Sequence, residues 1–164
     1  MKLIICMFVM LISAKECDKQ KASATSDNIS EVTTTDMSKR EMQDQITLNY
    51  RAATRGFYLE IWIEGDSIKH TTDHSLKAMS THKIPSEEKE ALMSLLSDLN
   101  VNTLPELEAP SKRFQFDGAA ITTFEVTKGE DSYKTVAFDH GNPPESIKAI
   151  VEKILSIKTM FEKQ

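Results

Sequence analysis

The sequence predicts an α+β domain: an antiparallel sheet of about five strands with two helices on one face, in the order β-β-β-α-β-β-α. Three observations lead there. Apolar and polar residues alternate with period two from Ile46 to Glu64. Two later segments carry apolar residues at helical spacing behind a proline, and a second pair of alternating segments lies between them.

Ile46, Leu48 and Tyr50 alternate with Thr47, Asn49 and Arg51. After Thr54-Arg55-Gly56 the alternation resumes, with Phe57, Leu59, Ile61 and Ile63 toward a core and Tyr58, Glu60, Trp62 and Glu64 on the other side. Gly65-Asp66 signals a two-residue hairpin, Ser67 to Thr72 forms the returning strand, and a short strand is expected between Leu76 and Lys83. Pro85 followed by Ser86, Glu87 and Glu88 starts a helix, because acidic residues in the first turn suit the positive end of its dipole. Its stripe is Ala91, Leu92, Leu95, Leu96 and Leu99, and Asn100 ends it.

An irregular connection, Val101 to Gly118, is broken by Pro105 and Pro110. Strands from Ala119 to Thr127 and from Tyr133 to Phe138 follow, joined by the loop Lys128 to Ser132. Pro143-Pro144 opens the last helix, whose stripe is Ile147, Ile150, Val151, Ile154, Ile157 and Phe161.

Three segments organise the chain: a signal segment with a candidate lipidation site (1–17), a polar tether (18–45) and one domain (46–164). Lys2, the apolar run Leu3 to Ile12 and the small pair Ser13-Ala14 have the layout of a secretory signal. The run falls short of the roughly 20 apolar residues that span a bilayer. Cys6 lies inside it, so Cys17 is the only thiol beyond it and has no internal disulfide partner. A cysteine just after the apolar run, followed by Asp18-Lys19-Gln20-Lys21, occupies the place of the lipidated first residue of a bacterial lipoprotein. Lys15 and Glu16 stand where small residues are usual, so cleavage after Ala14, or after Ala24 in Ala22-Ser23-Ala24, is the alternative. Residues 18–45 lack aromatics and hold few large apolar side chains, which is the composition of a solvated linker.

From Ile46 onward 14 lysines and arginines face 18 aspartates and glutamates, a net charge of −4. No basic cluster stands out, which argues against nucleic acid as a partner. Nucleophile elbows, phosphate loops and dinucleotide fingerprints are missing, so no cofactor is implied.

Three constellations remain. A hairpin centred near Glu130 places Asp139 to Gly141 opposite Ala119 to Ile121, so Asp117-Gly118 and Asp139-His140-Gly141-Asn142 gather at one end of the sheet. Asp117, Asp139 and His140 are therefore the candidate catalytic residues for acid/base or metal-assisted work, although turn and capping chemistry explains each singly. Among His70, His74 and His82, the His-x-x-x-His spacing of the first pair brings two imidazoles together only on a helix; on a strand they lie about 13 Å apart, so no metal ligand set is assigned. Tyr58 and Trp62 share one face of the second strand and, with Arg113, are the candidate binding residues, unless they merely cover the sheet beneath the Val101 to Gly118 connection.

Arg55-Gly56-Phe57, Leu104-Pro105-x-Leu107-x-Ala109-Pro110, Phe116-Asp117-Gly118-Ala119 and Phe138-Asp139-His140-Gly141-x-Pro143-Pro144 resemble the motifs of a family of small bacterial lipoproteins of unknown activity. The resemblance covers nearly the whole domain and implies export, with no reaction to carry over. An exported, lipid-anchored envelope domain that touches the membrane through its anchor is therefore expected. It binds an envelope protein or small ligand through the open sheet face or the Asp117/Asp139 end. The alternatives are a hydrolase or metal-dependent enzyme using Asp117, Asp139 and His140, and a secreted enzyme inhibitor.

Overall fold

The computed structural model describes residues 46–163; the expected signal segment, tether and cleavage sites, and Cys17, lie outside the described residues. Seven strands and two helices follow in the order β1 (Ile46–Ala53), β2 (Tyr58–Glu64), β3 (Ser67–Thr71), β4 (Ser80–Lys83), α1 (Ser86–Ser97), β5 (Ile121–Lys128), β6 (Asp131–Lys134), β7 (Phe138–Asp139) and α2 (Glu145–Glu162). Two 3-10 turns, Val101–Glu106 and Arg113–Phe116, interrupt the long connection. The α+β class holds, whereas the expected five strands in the order β-β-β-α-β-β-α are corrected to seven, in the spatial order β4-β3-β2-β1-β5-β6 with β7 also on β5.

β4 falls within the segment where a short strand is expected, Leu76 to Lys83, and β7 comes from a bulge. Ile121 faces Asp139 and Thr122 faces Phe138, the register expected for a hairpin centred near Glu130. Closer to the turn Glu125 faces Lys134 and Lys128 faces Asp131, one residue out of step with it. Three residues, Thr135-Val136-Ala137, therefore oppose two, Thr123-Phe124, and the returning strand splits into β6 and β7. Thr135 closes the gap: its N–H donates to the Phe124 carbonyl (2.9 Å) and its Oγ1 accepts from the Phe124 N–H (3.1 Å).

Every strand pair is antiparallel, so one face can be packed and the other left open. Leu48, Tyr50, Ala52, Leu59, Ile61, Ile63, Ile68, Phe124 and Val126 line the packed face. Leu92 and Leu96 of α1 and Ile147, Ile150, Val151, Ile154 and Ile157 of α2 cover it. Each such fully buried side chain contributes about 1.5–3 kcal/mol. That outweighs the roughly 1 kcal/mol of an N-cap, and both helices begin after a proline without a side-chain cap. No helix among the described residues is long and apolar enough to cross a membrane.

Candidate functional site

Strand register builds the open face row by row. Tyr58, Ala53 and Ile121 lie side by side; next come Thr71, Glu60, Arg51 and Thr123; then Lys69, Trp62, Asn49, Glu125 and Lys134; then Ser67, Glu64, Thr47, Thr127 and Ser132. Thr47, Asn49, Arg51, Tyr58, Glu60, Trp62, Glu125, Thr127 and Lys134 floor a cleft of about 540 Å³, and His74 and Leu76 form its rim. That volume lies in the range of small-molecule sites.

Glu60 is the hub of the floor. Its carboxylate accepts from Asn49 Nδ2 (3.1 Å) and from the Tyr58 hydroxyl, with Arg51 Nε more loosely placed at 3.9 Å. The Arg51 guanidinium also lies 5.7 Å from the Tyr58 ring centroid, a cation–π distance. Desolvation, then the bond to Glu60, holds the Tyr58 phenol above its ordinary pKa, so it remains a donor. Across the face Lys134 pairs with Glu125 at 3.4 Å. Two cations and two carboxylates thus balance in the cleft.

The rim is a constructed loop. The Asp73 carboxylate accepts from Ser75 Oγ and from the N–H groups of Ser75, Lys77 and Ala78. The Ser75 hydroxyl, followed by the Ser75 amide, draws the Asp73 carboxyl down to about 2. The loop carries Leu76 at φ 57 with its side chain 45% exposed. A left-handed conformation costs a branched, non-glycine residue roughly 1–2 kcal/mol, and such strain concentrates where a chain holds a side chain for use.

The predicted residues fare differently. Trp62 lies half-buried in the cleft floor, and Tyr58 lies beside it but is only 8% exposed. The cover is not the Val101 to Gly118 connection: His74, from the 72–79 loop, packs on the Tyr58 ring at 4.9 Å. Phe57, expected in the core, precedes β2 and is 41% exposed, packing on His140 at 5.3 Å. Arg113 serves through its backbone. Its N–H donates to Asp139, its carbonyl accepts the Gly118 N–H, and a Cβ at Gly118 would meet that carbonyl at 3.2 Å. Its exposed side chain is not part of the cleft.

Asp117, Asp139 and His140 do belong to one end of the sheet, but each has a separate task. Asp139, 2% exposed, accepts from Ser111 Oγ (2.5 Å), Arg113 N–H (3.0 Å) and Phe114 N–H (2.7 Å). Desolvation pushes its carboxyl up, and those bonds, Ser111 foremost, outweigh it and hold the carboxyl below the ordinary value. Asn142 Nδ2 donates to Ser111 Oγ (2.7 Å), extending the network. Asp117 ends the second 3-10 turn in a left-handed conformation, φ 56. His140 Nδ1 lies 2.7 Å from the Tyr50 hydroxyl. Burial pushes that phenol up to about 12, so the hydroxyl keeps its proton, and the His140 tautomer sets which of the two donates. Asp139 therefore organises a loop, and no free carboxylate pair stands beside the imidazole.

The histidines also divide. His74 is on the open face, whereas His70 and His82 meet on the packed face as a cross-strand stack, ring centroids 5.8 Å apart. Among the described residues no group of three or more His, Cys, Asp or Glu side chains is placed to hold a metal ion.

Glu60, Asn49, Arg51, Glu125 and Lys134 were missed by the sequence reading, though period-two alternation puts the first three on the face of Tyr58 and Trp62. Leu76 carried no signal, because nothing in a leucine announces a left-handed backbone. No protein-family model and no curated protein matches the chain.

Proposed function

We propose that this is an exported envelope protein, lipid-anchored through Cys17, whose domain binds a small neutral hydroxyl-rich ligand, such as a saccharide, in the open-face cleft. The observation that carries the reading is the strained Leu76, held by the Asp73 loop over a floor containing Trp62 and Tyr58. The half-buried Trp62 ring suits the C–H face of a sugar, while Asn49, Glu60 and Arg51 offer both donors and acceptors to its hydroxyls. The balance of Arg51 and Lys134 against Glu60 and Glu125 argues against an ion as the ligand. The signal-like segment, the cysteine behind it and the motif resemblance to small bacterial lipoproteins support export and anchoring. The enzyme alternative receives no support from Asp117, Asp139 and His140, since Asp139 is engaged by the loop it organises.

Trp62 is the only tryptophan in the chain, so its fluorescence reports the cleft directly. Titration of the domain with chitobiose, cellobiose or maltose should shift the Trp62 emission saturably, with Kd on the order of 0.1–1 mM, the weak end of specific binding. Glu60→Gln and Leu76→Gly should abolish the shift while the far-UV circular dichroism is unchanged. A flat response of the wild-type domain to all three sugars removes the saccharide reading. For the anchor, the intact mass of the membrane-extracted protein should include acyl chains that Cys17→Ser lacks; an unacylated wild-type chain beginning at Lys15 or Thr25 overturns it.

A further inference from the structure

Beneath the sheet, on the packed face, three rings stand in a file. His70 of β3 and His82 of β4 are diagonal neighbours, since Ile68 faces His82 and His70 faces Ser80. Their rings lie 17° from parallel, and His82 in turn stacks on Phe161 of α2 at 4.4 Å and 8°. Above Phe161, α2 is fixed by Ile147, Ile150, Val151, Ile154 and Ile157 in the core and by the ion pair of Lys153 with Glu88 of α1. In the helix's last turn the ring of Phe161 is the side chain packed on the sheet.

His70 is 8% exposed, and its Nε2 is the one buried side-chain nitrogen or oxygen among the described residues without a hydrogen-bond partner. Native interiors satisfy nearly all such groups, and an orphan on a titratable ring marks a place where the neutral form is tolerated and the charged form is not.

We propose that the His70–His82–Phe161 stack is an acid-sensitive latch: protonation of His70 releases the last turns of α2 from the sheet. The groups that face His70 decide the sign. From α2 come Lys158 and Glu162, paired at 2.5 Å; from β4 comes His82; β2 offers the apolar Ile61. Desolvation opposes a charge on His70 first, the Lys158 ammonium adds to this, Glu162 acts the other way, and His82 again disfavours it. Lys158 is 14% exposed and Glu162 44%, so water screens the favourable partner more than the unfavourable one. After desolvation, the Lys158 ammonium also disfavours a charge on His140.

The linkage follows. The folded value of His70 is depressed below the unfolded value of about 6.5, so its contribution to stability is complete above that pH. It is lost as pH falls through the folded value. Lifting the last turns of α2 removes Lys158 and admits water to the ring, at the cost of the Phe161 contact and part of Ile157. That is less than unfolding the sheet, so the response is local.

The test is amide hydrogen exchange with imidazole NMR titration on the full chain between pH 8 and pH 5. Protection at residues 157–162, corrected for intrinsic exchange, should fall at least about threefold while residues 90–96 of α1 keep theirs. His70→Phe should remove the fall, and Lys158→Gln should move the His70 titration toward its ordinary value. Unchanged protection of wild-type α2 across this range overturns the proposal, as does an equal fall in His70→Phe. Should His70→Phe fail to fold, the wild-type titration decides: a His70 ring that gains its proton with no coincident loss of protection overturns the latch.

Discussion

Replacing Asp139 by alanine should lower the Tm of the domain by on the order of 10 °C, the largest single-residue effect expected outside the hydrocarbon core. Its carboxylate is the shared acceptor of Ser111 Oγ and the Arg113 and Phe114 amides, so removal strands donors from a segment 25–28 residues away in sequence. Asp139→Asn should be nearly as damaging, since an amide of the same shape turns one end into a donor facing donors. The pH dependence has a definite sign. With the folded carboxyl below its ordinary value, the contribution is present above the unfolded value of about 3.9 and is lost as pH falls through the folded one. Asp139→Ala should therefore flatten the acid limb of the Tm profile. Differential scanning calorimetry from pH 2 to pH 7 measures both, and a variant with wild-type Tm would reopen the case for Asp139 as a reactive group.

Thr135→Val should cost about 1–3 kcal/mol, a large penalty for the exchange of a hydroxyl for a methyl of the same shape. At the bulge the Phe124 N–H donates to Thr135 Oγ1, and Thr135 is 5% exposed, so water cannot replace the lost acceptor. Thr135→Ser, which keeps the oxygen, should retain most of the stability. Urea denaturation of the three proteins separates the outcomes, because a lost hydrogen bond shifts the midpoint without altering the slope. Equal stability of the valine and wild-type domains would mean that the Phe124 amide finds another partner.

Much of the framework is legible along the chain because it depends on neighbours in sequence. Period-two alternation separates Leu59, Ile61 and Ile63 from Glu60 and Trp62, and the 3.6-residue stripes of α1 and α2 name the side chains that cover the packed face. Gly65, at φ 58, makes the turn its position predicts. Phe57 broke its pattern because a turn residue has no fixed face, and Tyr58 proved buried because a loop that does not adjoin it in sequence crosses over it.

The site was less legible for a related reason. Asp117, Asp139 and His140 read as a reactive cluster because all three residue types can titrate. Whether a carboxylate is free or occupied depends on who donates to it, and Asp139's donors come from a connection whose conformation has no periodicity. Likewise the spacing of His70, His74 and His82 describes a line, whereas strand pairing joins His70 to His82 and sends His74 to the opposite face.

The sequence by itself determined the α+β class, the packed face, the two helices and the register that brings Asp139 opposite Ile121, since each follows from local periodicity, turn residues and the fixed reach of a hairpin. Tertiary structure alone decided that Asp139 holds a loop rather than a proton for reaction, that Leu76 is strained over a cleft, and that His70 is buried without a partner. Those properties arise from groups distant in sequence that compete for the same donor, space or water, and no local pattern records which of them prevails.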